Sequence, residues 1–341
     1  MLIKAGIVGA SGYAGEALID ILLKHAHVRI TGLYAKIDKP LAISELFPRL
    51  RGKIDLICKE IDIKEIINNC DLVFLALPHT VSMGVVPALL AAKKPVIDLS
   101  ADYRLKDSRV YRNFYQVDHK DKINLKKSVY GLPELYRENI SKANFIANPG
   151  CYPTAAILGL APLVATEAVD LDSIIIDAKS GSTGAGRKLS QDLLFSEIEG
   201  DFRAYKVNSH QHMPEINQEL GFLAQDEVRV SFVPHLLPLA RGILETIYVK
   251  KSKKSKIKKG GLTDFYKKFY KLEPFVRVRD AGDYPNLKAV VGTNFCDIGI
   301  QEDGDKAVII SVIDNLMKGA SGQAVQNMNI LCKFEERTGL L

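Results

Sequence analysis

Leu2-Ile3-Lys4-Ala5-Gly6-Ile7-Val8-Gly9-Ala10-Ser11-Gly12-Tyr13-Ala14-Gly15 is the stretch whose reading decides the fold. Residues 2–8 form an apolar run without polar alternation, the pattern of a strand buried on both faces. A glycine-rich turn at 9–15 follows, and a helical period begins directly after it. Glycines in such a turn let backbone N–H groups approach a phosphate at the helix N-terminus. The spacing is G-x-x-G-x-x-G, and its strand–turn–helix setting identifies a dinucleotide-binding start. Outward from this turn the pattern repeats. Strands are expected at 28–34, 72–77, 95–99 and 144–147, with helices at 63–69 and 82–93. That alternation predicts an α/β architecture, a Rossmann-type doubly wound parallel sheet spanning 1–150.

Beyond residue 150 the texture changes. A helix-like run at 154–167 leads into β-rich segments at 173–179, 228–234, 242–250, 275–278, 294–301 and 307–313. This predicts an α+β catalytic and dimerisation domain with a mixed sheet over 151–318. A final helix within 319–341 is expected to pack back on the first domain. The 341-residue length suits two ordinary domains.

Composition bounds the function. Apolar residues make up 47% and charged residues 25%, which argues against disorder. The net charge of +6 raises the question of polyanion partners. Seven lysines nevertheless fall within ten residues: Lys250, Lys251, Lys253, Lys254, Lys256, Lys258 and Lys259. Taking those seven charges from +6 leaves −1 for the rest of the chain. The run contains no arginine and no aromatic residue, so it reads as a solvated loop, and neither nucleic acid nor membrane is expected as a partner. The five cysteines are odd in number and contain no C-x-x-C pair, which disfavours a disulfide framework and a zinc site alike. With no signal-peptide or membrane-spanning pattern, a cytoplasmic location is expected.

Four groups of residues carry chemistry. At the end of the second strand, Lys36 and Lys39 replace the acid that an NAD enzyme commonly places near the ribose, so NADP/NADPH is expected. In Asn148-Pro149-Gly150-Cys151-Tyr152-Pro153-Thr154, Cys151 stands at the mouth of an apolar helix, where unpaired N–H groups and the macrodipole favour a thiolate. Cys151 is therefore the candidate nucleophile, and the other four cysteines are taken as structural. In His210-Gln211-His212-Met213-Pro214-Glu215, two imidazoles and a carboxylate supply an acid/base and its orienting group. No third ligand accompanies the H-x-H pair, so no metal is expected. Residues 180–187 could wrap a phosphate or carboxylate with backbone N–H groups and Arg187. Residues 100–104, with Arg104, follow a strand at the carboxyl edge of the first sheet, and residues 234–238 lead into Arg241-Gly242.

Taken together, these motifs resemble the N-acetyl-gamma-glutamyl-phosphate reductases, relatives of aspartate-semialdehyde dehydrogenase. The resemblance runs through 9–15, 99–105, Tyr130-Gly131-Leu132-Pro133-Glu134, 148–154, 180–187, 210–215, 234–242 and 318–324. It implies NADPH-dependent reduction of a small anionic acyl phosphate to an aldehyde through a thioester on Cys151. His210, in preference to His212, would be the acid/base, with Glu215 orienting it. It further implies cofactor contacts from Gly9, Ser11, Gly12, Tyr13, Ala14, Gly15, Lys36, Ser182, Gly184 and Asn315. Substrate contacts would come from Arg104, Asn148, Arg187 and His212, and assembly would be a homodimer or homotetramer. Family members often carry Arg where this chain has Gln211. A rival substrate is an aminoadipyl or glutamyl phosphate on an acidic carrier protein, which would give the lysine run a purpose. A non-catalytic NADP-binding regulator is the rival from another class.

Overall fold

The computed structural model describes residues 2–341. The chain divides into two units, one running to Pro149 and resuming at Ala320–Leu341, the other Gly150–Gly319. Among the described residues no helix is long and apolar enough to cross a membrane.

The first unit is built on eight strands: β1 (Ile3–Val8), β2 (Val28–Tyr34), β3 (Leu41–Ala42), β4 (Ile57–Lys59), β5 (Leu72–Leu75), β6 (Val96–Asp98), β7 (Val129–Tyr130) and β8 (Phe145–Ala147). Their order across the sheet is β3-β4-β2-β1-β5-β6-β8-β7, and every pairing is parallel except β3 with β4. β1 lies between β2 and β5, so the chain winds away from it in both directions, and ligand crevices form at the carboxyl ends of strands at such a point. The expected buried character of β1 holds: Ala5, Ile7 and Val8 are wholly inaccessible. Helix Tyr13–Leu22 starts within the glycine-rich stretch rather than after it, because the glycine turn closes tightly. The expected helix at 82–93 is broken into a 3-10 turn, Ser82–Gly84, and a helix, Val86–Ala91. Proline at 87 fits the first turn of the second piece, where its missing N–H costs nothing.

Helix Gly322–Leu331 belongs to this unit and is buried through nearly its whole length. Four amide side chains on it are fully inaccessible: Gln323 and Asn327 bond to the sheet loops, while Gln326 and Asn329 bond to the C-terminal segment at Glu336 and Thr338. Gln323 Nε2 and Asn327 Nδ2 both donate to the Gly131 carbonyl, at 2.9 and 2.8 Å.

The second unit carries β9 (Ile175–Ser180), β10 (Arg203–Ala204), β11 (Ser231–Leu236), β12 (Ile243–Lys250), β13 (Val276–Val278), β14 (Cys296–Asp303) and β15 (Lys306–Ile313). The order is β10-β11-β9-β12-β15-β14-β13, with two parallel pairings, β11 with β9 and β13 with β14, among antiparallel ones. Helix Cys151–Val164 lies against one face. It is apolar all round, so every side chain after Cys151 is buried, as a helix with no wet face requires. A Cβ on Gly159 would meet Ile247, Ser311 and Ile309, which shows how closely the helix approaches β12 and β15. Tyr266 Oη and Tyr270 Oη cap the Gly159 and Leu158 carbonyls from the other side.

Glu245, in the middle of β12, is fully buried, and neither carboxylate oxygen has a hydrogen-bond partner. Burial pushes its acid well above the ordinary range, with Lys179 opposing only in part. Because the folded value lies above the unfolded one, the ionisation penalty is absent below about pH 4.5 and increasingly opposes the fold as pH rises. Glu245→Met is therefore expected to raise stability by about 1–3 kcal/mol at neutral pH. The gain should shrink toward pH 4.5, a trend that thermal unfolding at several pH values measures directly. A variant less stable than the parent at pH 7 would show that the carboxyl is held by partners the fold provides.

Candidate active site

In the first unit the glycine turn has the geometry of a phosphate cradle. Gly9 adopts φ +93°, and a Cβ there would sit 2.2 Å from the Ala76 carbonyl oxygen. Its N–H and that of Ala10 both donate to the Tyr34 carbonyl, at 2.7 and 3.0 Å, tying the turn to the end of β2. Gly12 caps helix Tyr13–Leu22 without a side chain, so the first turn keeps main-chain donors unhindered, a set that fits a dinucleotide pyrophosphate. Ser11, Tyr13 and Ala14 complete this turn, and Ser321 Oγ donates to the Ala14 carbonyl at 2.8 Å. Lys36 is exposed two residues past β2, where a ribose 2′-phosphate would need a cation.

The loop after β6 is built on two buried carboxylates. Asp98 accepts from Ser82 Oγ, Ser100 N and Ser100 Oγ, while Asp102 accepts from Thr80 N and Tyr111 Oη. Burial, with Asp102 second, lifts Asp98 to about 7. The same loop carries Arg104, which is buried. Its Nε donates to the Asn148 carbonyl and its Nη2 to the Leu99 carbonyl, both at 2.7 Å. Asn148 in turn donates through Nδ2 to the Ala320 carbonyl and accepts from Asn327 Nδ2. These contacts hold the turn leading toward Cys151. They give Arg104 and Asn148 main-chain and amide partners beside the substrate role expected of them.

In the second unit, Cys151 is the first residue of its helix, half-buried, after an extended Gly150 that offers no side-chain cap. The turn Met317–Ser321 is π-helical, a form that recurs at functional sites. Its Gly319 presses on Cys151, since a Cβ there would lie 2.8 Å from the Cys151 Cβ. Of the other cysteines, Cys58, Cys70 and Cys296 are buried, and burial lifts the thiols of Cys58 and Cys332 to about 11, which keeps them inert.

Glu215 is buried, and its Oε1 accepts the Gly150 N–H at 2.8 Å. That oxygen thus steadies the turn before Cys151, a contact between segments 65 residues apart that no local pattern announces. The His210 ring takes its orientation at Nδ1 from the His212 N–H, at 3.0 Å. With Nδ1 accepting, the neutral ring carries its proton on Nε2, so His210 is set as a donor. His210 and His212 stack edge-on at 4.9 Å between ring centres. Gln211 Oε1 accepts from Lys206 Nζ at 2.9 Å, which brings a cation beside Gln211.

In the loop at 180–187, three of the expected main-chain donors are committed within the fold. The N–H groups of Gly181, Ser182 and Thr183 donate to the carbonyls of Gly242, Leu239 and Ala240. These donors are occupied within the fold and do not wrap an anion. What the loop does is assemble residues: Asn315 Nδ2 donates to Thr183 Oγ1, and its Oδ1 accepts the Gly242 N–H. Asn315 Nδ2 also lies 3.9 Å from where a Cβ on Gly184 would be. Ser182, Gly184 and Asn315 are thereby brought together, while Arg187 is exposed. Arg241 bridges to the buried Asp314, at 2.9 Å from Nη2 to Oδ2. The lysine run is largely exposed, and two of its members pair with surface acids, Lys254 with Glu167 and Lys250 with Asp305.

Tyr152 and Tyr205 were not among the expected site residues, and both stand beside Cys151 and His210. Tyr152 follows the nucleophile directly. Tyr205 sits in a segment without motif character, and only its place five residues before His210 could have drawn notice.

A unit with a glycine cradle, followed by a unit with a helix-mounted thiol and a paired imidazole, is the inventory of an oxidoreductase. Two sequence profiles match the chain: the NAD-binding domain of semialdehyde dehydrogenase over residues 4–143 and the dimerisation domain of semialdehyde dehydrogenase over 151–315. Full-length relatives named N-acetyl-gamma-glutamyl-phosphate reductase include that of Desulfotalea psychrophila, 49% identical over 99% of this chain and 98% of the relative. That of Desulforamulus reducens is 48% identical over 99% and 98%. The chain belongs to the semialdehyde dehydrogenase family, in its N-acetyl-gamma-glutamyl-phosphate reductase branch. Among solved structures, aspartate semialdehyde dehydrogenase from Candida albicans with NADP superposes with a TM-score of 0.74 at 16% identity, covering 97% of this chain and 99% of that one. The Vibrio cholerae aspartate semialdehyde dehydrogenase II gives 0.71 at 17%, covering 98% and 99%. At such identities the likeness establishes the two-domain α/β fold.

Proposed function

We propose that this protein reduces N-acetyl-gamma-glutamyl phosphate to the corresponding semialdehyde with NADPH, in arginine biosynthesis, through a thioester on Cys151. The observation that carries the reading is Cys151 at an uncapped helix N-terminus, with a proton-bearing imidazole on the same unit. Cys151 thiolate attacks the acyl carbon and expels phosphate, forming the thioester. The turn's N–H groups stabilise the oxyanion of that attack. NADPH, when bound, would supply a hydride; Gly9, Ser11, Gly12, Tyr13, Ala14, Gly15 and Lys36 would hold the dinucleotide, and Ser182, Gly184 and Asn315 are the further residues we assign to it. His210 Nε2–H donates to the oxygen of the resulting thiohemiacetal alkoxide, whose collapse releases aldehyde and regenerates the thiolate. Glu215 holds Gly150 and so the approach of the thiolate. Arg187, His212, Asn148 and Arg104 are the residues we assign to the substrate's carboxylate, amide and phosphate. The dimerisation profile supports a homo-oligomer, a homodimer or homotetramer, and five cysteines outside any disulfide suit a cytoplasmic setting.

The reverse assay tests this reading. N-acetylglutamate semialdehyde with inorganic phosphate should reduce NADP, and NADP should be preferred to NAD. Lys36→Glu is expected to weaken NADP at least about tenfold while leaving NAD nearly unaffected, since a single charge reversal beside a phosphate costs of the order of 1–3 kcal/mol. Equal rates with both cofactors in the parent would overturn the cofactor assignment. Turnover of only a carrier-linked substrate would transfer the enzyme to the lysine-type reaction.

A further inference from the structure

We propose that Tyr205 is a positioning residue for His210, acting with Tyr152 as a hydroxyl-linked aromatic clamp around the imidazole. The inference rests on the reading of His210 as the group that donates to the reacting oxygen.

The clamp is continuous. Tyr152 Oη and Tyr205 Oη are 3.0 Å apart. The His210 ring meets Tyr152 edge-on at 5.4 Å, Tyr205 at 5.6 Å and Phe232 at 5.6 Å between centres. With the His212 ring at 4.9 Å, four rings bound the imidazole, and the hydroxyl pair ties two of them to each other. Tyr152 is anchored in turn by the helix that begins with Cys151. The orientation of the imidazole and the position of the nucleophile are thus set through one pair of side chains.

The backbone around Tyr205 is built to hold it there. Its N–H donates to the Pro234 carbonyl at 2.9 Å, next to the short pairing of β10 with β11. The chain then turns through two non-glycine residues in the left-handed region, Lys206 at φ +44° and Asn208 at φ +50°. Such conformations cost free energy and persist where surrounding contacts enforce them. Here Asn208 N donates to the Phe232 carbonyl at 2.9 Å, and Phe232 N donates to Asn208 Oδ1 at 2.7 Å. The same Phe232 ring packs on Tyr152 and on His210. The strained turn, the strand edge and the rings are one assembly, and its centre is the imidazole. Burial pushes the Tyr205 hydroxyl up to about 12, and the nearby Cys151 adds to this, so the clamp stays protonated and uncharged across the working range.

The test is a double-mutant cycle in the reverse assay with inorganic phosphate and NADP. Tyr205→Phe keeps the ring and removes the hydroxyl link. We expect kcat to fall about tenfold, because small misplacements of a catalytic group cost one to two orders of magnitude. The KM for phosphate should stay within about twofold, as no substrate contact is removed. In a His210→Asn background the same change should have no further effect, because there is no imidazole left to position. Thermal unfolding of both single variants controls for loss of fold, and Tyr152→Phe, which breaks the same link from its other end, should reproduce the Tyr205→Phe loss. A Tyr205→Phe enzyme with the parent's kcat overturns the proposal, as does a loss that multiplies with that of His210→Asn. If His210→Asn itself retains full activity, the acid/base reading fails instead, and the two failures are told apart by that single variant.

Discussion

Cys151→Ala is expected to lower turnover in the reverse assay by at least about a thousandfold, the scale on which removal of a covalent nucleophile acts. The sulfur is the only atom removed, and it lies at the first position of a helix whose remaining thirteen residues are buried. Alanine is a good helix former, so unfolding temperature should hardly change. NADP binding, followed by cofactor fluorescence, should persist, since the glycine cradle belongs to the other unit. That combination separates chemistry from folding. A variant retaining a tenth of the parent's rate would place the nucleophile elsewhere.

Gly9→Ala is the second large effect, and its cause is backbone rather than chemistry. A left-handed φ costs a non-glycine residue about 1–3 kcal/mol. The added Cβ would also lie 2.2 Å from the Ala76 carbonyl oxygen, closer than any unstrained contact allows. Relieving it pulls the turn from β2 and the two hydrogen bonds that the Tyr34 carbonyl accepts. We expect a loss of at least about 3 kcal/mol, seen as a clear fall in unfolding temperature, together with loss of NADP affinity. Gly12→Ala is the control. Its Cβ would meet nothing nearer than the Gly9 oxygen at 3.6 Å, an ordinary contact. The fold should survive, and any weakening of NADP then reports on the cradle alone. Equal stability of the Gly9→Ala variant and the parent would show that the turn can relax without cost.

Much of this molecule is legible in one dimension. Strands β1, β2 and β12 are long apolar runs, and their places follow from pattern to within a residue or two. Strands β3, β7 and β10 are two residues each and β4 three, too short to show a period, so the sequence reading passes over them. They exist because neighbouring strands offer unpaired edges. Cys151 and His210 stand out as residue types in telling contexts. Tyr205 does not, because an isolated tyrosine among polar residues has no local signature. Only the pairing of β10 with β11 and the turn at Lys206 and Asn208 carry it to the imidazole.

The loop at 180–187 shows the same division. Its small residues announce a turn that could hold an anion, and the composition is compatible with that use. Whether an N–H points at a ligand or at a carbonyl is settled by the segment it packs against, here 239–242, which takes up three donors. Periodicity, glycine placement and the local settings of Cys151 and His210 are properties of the sequence alone, and they were enough to suggest the family. The partners of those groups are contacts between distant segments: Glu215 with Gly150, Gly319 with Cys151, Tyr205 with Tyr152. They were decided by tertiary structure, because hydrogen-bond donors and buried rings find their partners through space, whatever their separation along the chain.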